Sequence, residues 1–92
     1  MRSVQFLKSF DRSYSKLPRD QKTRASEAIE LLLSSLESRL IPHGLGLKRL
    51  QENQWEIRVD LHLRVCFRME KETIQFGLAG SHDAIKKFLK NL

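Results

Sequence analysis

Three arginines, a glutamate and two histidines stand in this chain at spacings suited to work on a phosphate. Arg58, Arg64 and Arg68 occupy alternate positions within QWEIRVDLHLRVCFRMEKETIQFGLAGSHD, the run from Gln54 to Asp83, and Glu56 and His62 fall in phase with them. A guanidinium is a planar, permanently charged fork that meets phosphate oxygens two at a time. The imidazole of His82, which closes the run in Gly80-Ser81-His82-Asp83, exchanges a proton near neutrality. Together such groups would hold a phosphodiester, spread the charge that builds on phosphorus and move protons. The plainer alternative is a solvated basic sheet face. Its arginines would then pair across strands with Glu56 or Asp60, each pair worth roughly 0.2 to 1 kcal/mol.

Positioning these groups falls to strands. Trp55, Ile57 and Val59 alternate with Glu56, Arg58 and Asp60, the period-two signature of a half-buried strand. Leu63, Val65, Phe67 and Met69 make a second apolar row opposite His62, Arg64, Cys66 and Arg68. Ile74, Phe76 and Leu78 make a third, opposite Gln75, Gly77 and Ala79. The connections at Asp60-Leu61 and at Glu70-Lys71-Glu72 are too short for a crossover helix, so the three strands form an antiparallel meander. Its polar side is expected to be an open floor ringed by guanidinium groups, with Trp55 in the core and His62 either lining the floor or facing water.

The remaining elements supply the other layer. Ser3-Val4-Gln5-Phe6 alternates and reads as a short first strand joined to the sheet through Val4 and Phe6. From Lys8, the residues Phe10, Tyr14 and Leu17 form one helical stripe that Pro18 stops. A second helix follows, with Asp20 in its first turn and an apolar face of Ala25, Ile29, Leu32, Leu33, Leu36 and Leu40. The segment from Ile41 to Leu50 is punctuated by Pro42, Gly44 and Gly46 and reads as a loop; Lys48 and Arg49 at its end are either ordinary surface charge or one rim of the floor. Ala84, Ile85, Phe88, Leu89 and Leu92 sit at helical spacing beside Lys86, Lys87 and Lys90, a closing amphipathic helix capped by Ser81 or Asp83. The expected fold is a two-layer α+β domain spanning residues 1–92: N-terminal strand, helical hairpin, three-stranded meander and short C-terminal helix.

Composition narrows the partners. With 17 Lys plus Arg against 11 Asp plus Glu, a net charge of +6, the 92 residues favour a polyanionic or acidic partner, nucleic acid first. One cysteine allows no internal disulfide, and there is no signal peptide or membrane-length apolar run, so a cytoplasmic location and no membrane partner are expected. His43, His62 and His82 lack the paired spacings of a zinc site, so no metal and no cofactor are expected.

The order of elements, together with "LKRL", "WEIRVDLHLRVCFR" and "GSHDAIKKFL", resembles the RelE/ParE superfamily of bacterial toxins over nearly the whole chain. "LRVCF" is similar to the "YRLVY" run of RelE-like members, and the G-S-H-D turn stands where such toxins often place Arg or His. The resemblance implies a type II toxin-antitoxin toxin that cleaves mRNA in the ribosomal A site, by metal-independent attack of the 2′-hydroxyl on the adjacent phosphate. It implies catalytic roles for Arg64, His82, Arg58 and Glu56, and RNA-binding roles for Lys48, Arg49, His62, Arg68, Lys86 and Phe88. Two positions depart from the pattern: Glu56 stands where some members carry Lys, and Phe88 where RelE carries a tyrosine, which shifts proton transfer onto His82. A cognate acidic antitoxin is the implied partner, and the free toxin is expected to be a monomer because the core uses the apolar stripes. ParE-like inhibition of DNA gyrase, or antitoxin binding without catalysis, are the alternatives.

Overall fold

The computed structural model describes residues 2–92. Its elements are β1 (Ser3–Phe6), α1 (Lys8–Ser15), α2 (Arg19–Ser38), a 3-10 turn (His43–Leu45), β2 (Lys48–Gln51), β3 (Gln54–Arg58), β4 (Arg64–Glu70), β5 (Thr73–Gly80) and α3 (His82–Lys90). They form a mixed five-stranded sheet of order β1-β5-β4-β3-β2, in which β1 runs parallel to β5 and every other pairing is antiparallel.

The helical hairpin covers one sheet face as the apolar stripes require. Phe10, Ala25, Ile29 and Leu32 bury against Ile57, Val65, Phe67, Ile74 and Phe76. The α2 stripe ends earlier than its leucines suggest. Arg39 takes a left-handed conformation at φ 61° and breaks the helix, so Leu40 turns out to solvent at 76 % exposure. Val4, Phe6, Leu31 and Ile41 are exposed as well, so the core does not consume every apolar residue, which removes the reason for expecting a monomer.

The edge of β5 is satisfied in two ways. β1 pairs with Thr73 to Phe76, and beyond that point α1 takes over. Ser9 Oγ donates to the Gly77 carbonyl at 2.6 Å, and the Ala79 N–H donates to Ser13 Oγ at 3.0 Å. Serines at helix positions i and i+4 thus stand in for a neighbouring strand at Gly77 and Ala79.

Two features differ from the sequence expectation. Lys48–Gln51, expected as loop, forms an edge strand on β3; its mostly exposed side chains carry no alternation, because backbone pairing rather than burial holds it. In β5, Phe76 pairs with Phe67 but Leu78 pairs with Cys66, so Gly77 is an extra residue in the ladder. This bulge reverses the phase. Ala79 is buried in the core opposite Val65, and Leu78 turns to the other face, the reverse of their expected sides.

The second face is not an open floor. α3 lies across it, with Ile85 buried and the Phe88 ring seated on the bulge. A Cβ at Gly77 would stand 2.8 Å from Phe88 Cε2 and 3.0 Å from Cζ. Gly77→Ala is therefore expected to lift the ring and cost about 1 to 2 kcal/mol, with Phe88→Leu in the same chain recovering part of it. Urea midpoints of the single and double variants, with limited proteolysis of the C-terminal helix, check this.

Candidate functional site

Cross-strand register puts Lys48, Glu56, Arg58, Arg64 and Cys66 on the face that α3 partly roofs. Arg64 stands directly opposite Arg58, and Glu56 stands between Lys48 and Cys66. Two like charges in one cross-strand pair repel, and the two arginines diverge. Arg64 Nη1 donates to Glu56 Oε2 at 2.8 Å, in a pair whose side chains are 23 % and 1 % exposed. Arg58 goes the other way. It is exposed beside Gly46 and opens onto a separate basic groove shared with His43 and Lys48.

Glu56 was expected on an exposed polar row, and it is buried. α3 covers it, and Arg64 supplies the counter-charge. The Arg64–Glu56 pair is the cross-strand alternative raised from sequence, yet it uses one of the five N–H donors of the guanidinium. The Arg64 side chain keeps 23 % of its surface exposed, and its bond to a buried carboxylate restricts where the fork can point. The other oxygen, Glu56 Oε1, is buried and has no hydrogen-bond partner among the described residues.

Beside Glu56 lies a groove of about 470 Å³ between the end of β2 and α3, walled by Leu50, Gln51, Ile85 and Leu89 and rimmed by His82, Lys86 and Lys90. Ser81 caps α3, its Oγ accepting the Ala84 N–H at 3.1 Å, which starts the helix at His82. One helical face then carries His82, Lys86 and Lys90 at intervals of four along the groove. Lys90, Leu50, Gln51, Ile85 and Leu89 were not among the site residues expected from sequence, although Ile85, Leu89 and Lys90 were placed on the closing helix. The spacing of four from Lys86 could have found Lys90, whereas Leu50 and Gln51 become neighbours only through β2.

Several expected residues lie elsewhere. Arg49 pairs in register with Trp55, on the helix-facing side, and donates to the Glu52 carbonyl at 2.7 Å, so it does not rim this face. His62 is exposed in the 59–63 loop that Asp60 organises, with Asp60 Oδ1 accepting the His62 and Leu63 N–H groups at 2.8 Å each, and it lines neither groove. Arg68 lies four residues along β4 from Arg64, about 13 Å at strand rise, and is engaged by Glu70 at 2.6 Å. Phe88 is half-buried on Gly77 rather than displayed for stacking.

Charge is unevenly shared. α1 and α2 together carry five acidic and five basic residues, so the whole +6 excess belongs to the rest of the chain, which includes β2, the sheet face and α3. Such a distribution favours anions away from the helical hairpin, and Lys86, Lys87 and Lys90 put three of these positive charges on α3.

Cys66 is sealed under α3. Burial pushes its thiol up from 9.0 to about 12, the neighbouring charge of Glu56 adds to the rise, and backbone hydrogen bonds at Leu78 and Cys66 oppose it. Between those values the unfolded chain has lost the proton while the native chain keeps it, so stability falls as pH rises, by up to about 1.4 kcal/mol per pH unit. Denaturation midpoints are expected to drop more steeply from pH 9 to 11 in the wild type than in Cys66→Ala, and the native thiol is expected to resist disulfide reagents that label it fully in denaturant.

No family model matches the sequence, and no curated protein matches it. Solved structures do match in shape. A chain of the RelB–RelE antitoxin–toxin complex from Methanococcus jannaschii superposes with a TM-score of 0.70 at 21 % identity, over 92 % of this chain and 98 % of that one. The DinJ–YafQ complex of E. coli gives 0.69 at 13 % identity, over 92 % and 98 %. The YoeB dimer of Staphylococcus aureus gives 0.65 at 15 % identity, over 88 % and 97 %.

Proposed function

We propose that this chain, whose fold is that of the RelE-like toxins, is the toxin of a type II toxin-antitoxin pair and cleaves mRNA in the ribosomal A site. The observation that carries the reading is Arg64: a guanidinium bound to a buried carboxylate that itself lines a cationic groove together with His82. A preorganised donor aimed at a phosphate stabilises the charge that develops as the adjacent 2′-oxygen attacks phosphorus and the P–O5′ bond breaks. His82 delivers a proton to the departing 5′ oxygen, the 2′-hydroxyl proton leaves to solvent, and a 2′,3′-cyclic phosphate remains. No metal is required by this route. Glu56 acts as the positioning residue for Arg64, while Lys48, Lys86, Lys90 and Arg58 hold the strand by its phosphates.

The partner is an antitoxin with an acidic, partly disordered segment. The charge excess outside the helical hairpin supports it, since such a segment would neutralise the α3 side as it folds onto the domain. The function is tested by incubating the purified protein with translating ribosomes and mapping message ends. Codon-spaced cuts that vanish in His82→Ala are expected, whereas intact message with gyrase-dependent DNA breaks assigns the chain to ParE-like inhibition instead.

A further inference from the structure

We infer that the groove between β2 and α3 is a nucleobase pocket and that Glu56, at its floor, selects guanine. The inference rests on the ribonuclease reading only for the source of the base, an RNA strand. Glu56 Oε1 is buried without a hydrogen-bond donor among the described residues, while Oε2 is held by Arg64. Leaving a buried charged acceptor unmet is costly, and such an atom beside a groove calls for a ligand that donates to it. The groove has the composition of a nucleotide site. Leu50 and Leu89 offer apolar walls for a flat ring, His82, Lys86 and Lys90 offer charge for a phosphate, and about 470 Å³ lies within the range of small-ligand pockets.

An ionised carboxylate only accepts hydrogen bonds, so the four bases are not equivalent to it. Guanine presents N1–H and the 2-amino group side by side. Adenine and cytosine set a ring-nitrogen acceptor next to their amino group, and uracil sets its single N3–H between two carbonyls, each of which repels the carboxylate. Oε2 keeps a lone pair beyond its bond to Arg64, so both guanine donors find acceptors. Glu56 is 1 % exposed, and in the bound state the exposed Lys86 and Lys90 side chains swing outward to admit the base edge.

Titration of the full chain with guanosine 3′-monophosphate, and with the adenosine, cytidine, uridine and inosine analogues, tests this by calorimetry and amide chemical shifts. Guanosine is expected to bind about tenfold more tightly than uridine, within the range of about 5- to 150-fold that a bidentate base contact discriminates. Inosine, which lacks the 2-amino group, falls between them, and the shifts centre on Glu56, Ile85 and Leu89. Glu56→Gln puts an amide donor on the floor and is expected to erase the preference in a variant whose circular dichroism is unchanged. If that variant does not fold, the inosine comparison on the wild type decides. Affinities within twofold for all four natural bases, or shifts centred outside the groove, assign Oε1 to a trapped water and overturn the proposal. Mononucleotide binding needs neither ribosome nor cleavage. A guanine preference without message cutting would sink the nuclease reading alone, and cutting without a base preference would sink this one alone.

Discussion

Arg64→Ala is expected to lower the rate of message cleavage by about 10²- to 10³-fold and to destabilise the fold by about 3 to 5 kcal/mol. Two separate physical effects are involved. The kinetic loss follows from removing the guanidinium that would meet the phosphate as its charge grows. The stability loss follows from Glu56, which is 1 % exposed and would be left as a buried carboxylate with no counter-charge on either oxygen. The two effects separate in the double variant Arg64→Ala, Glu56→Gln. Neutralising the stranded carboxylate is expected to recover much of the stability while cleavage stays at the level of the single variant. Urea midpoints alongside single-turnover cleavage on translating ribosomes give both quantities. Unchanged cleavage in a folded Arg64→Ala protein would reduce the Arg64–Glu56 pair to a structural cross-strand contact.

Phe76→Ala is expected to cost about 3 to 5 kcal/mol, the range for truncating a large buried aromatic. Phe76 is fully buried and joins four elements, its ring centroid lying 5.1 Å from Phe6 on β1, 6.0 Å from Phe10 on α1 and 5.7 Å from Phe67 on β4. The surrounding rings relax only partly into the space, so a cavity remains. A domain of this length has a total stability of roughly 5 to 14 kcal/mol, so the loss is a large fraction of the total; at the low end of that range the variant stands near its unfolding midpoint, and release of β1 comes first where stability is higher. Thermal denaturation, with amide exchange across Ser3–Phe6, distinguishes global unfolding from release of β1. Phe76→Leu, which keeps most of the volume, is expected to lose less than half as much.

Much of the fold was legible because its signals are local. Alternation in β3 and β4, the stripes of Phe10 and Tyr14 and of Ala25, Ile29 and Leu32, the Pro18 break and the Ser81 cap each involve residues within a few positions of one another, and each appears in the structure. β2 was not legible, because Lys-Arg-Leu-Gln at a sheet edge is held by backbone bonds that leave no mark on side-chain pattern. The β5 phase was misread past Gly77, since a bulge is a property of the pairing with β4 and a glycine by itself does not announce it. Of the candidate site, the types were legible and the neighbours were not. Glu56, His82 and Lys86 share a groove, whereas Arg49 and His62 went to other surfaces and Arg68 lies at the far end of β4 on the same face.

Composition and periodicity by themselves determined a basic α+β domain with a helical hairpin, a meander and arginines in register along one strand face, because burial of apolar rows at fixed periods is a local demand. Tertiary structure alone decided that α3 folds over that face. An amphipathic helix requires some apolar surface but does not specify which, and Cys66, Gly77 and Leu78 become a seat for Ile85 and Phe88 only when the bulge has turned β5. That packing buried Glu56 with its bond to Arg64 and brought Glu56 and His82, 26 positions apart in the chain, to the lining of one groove.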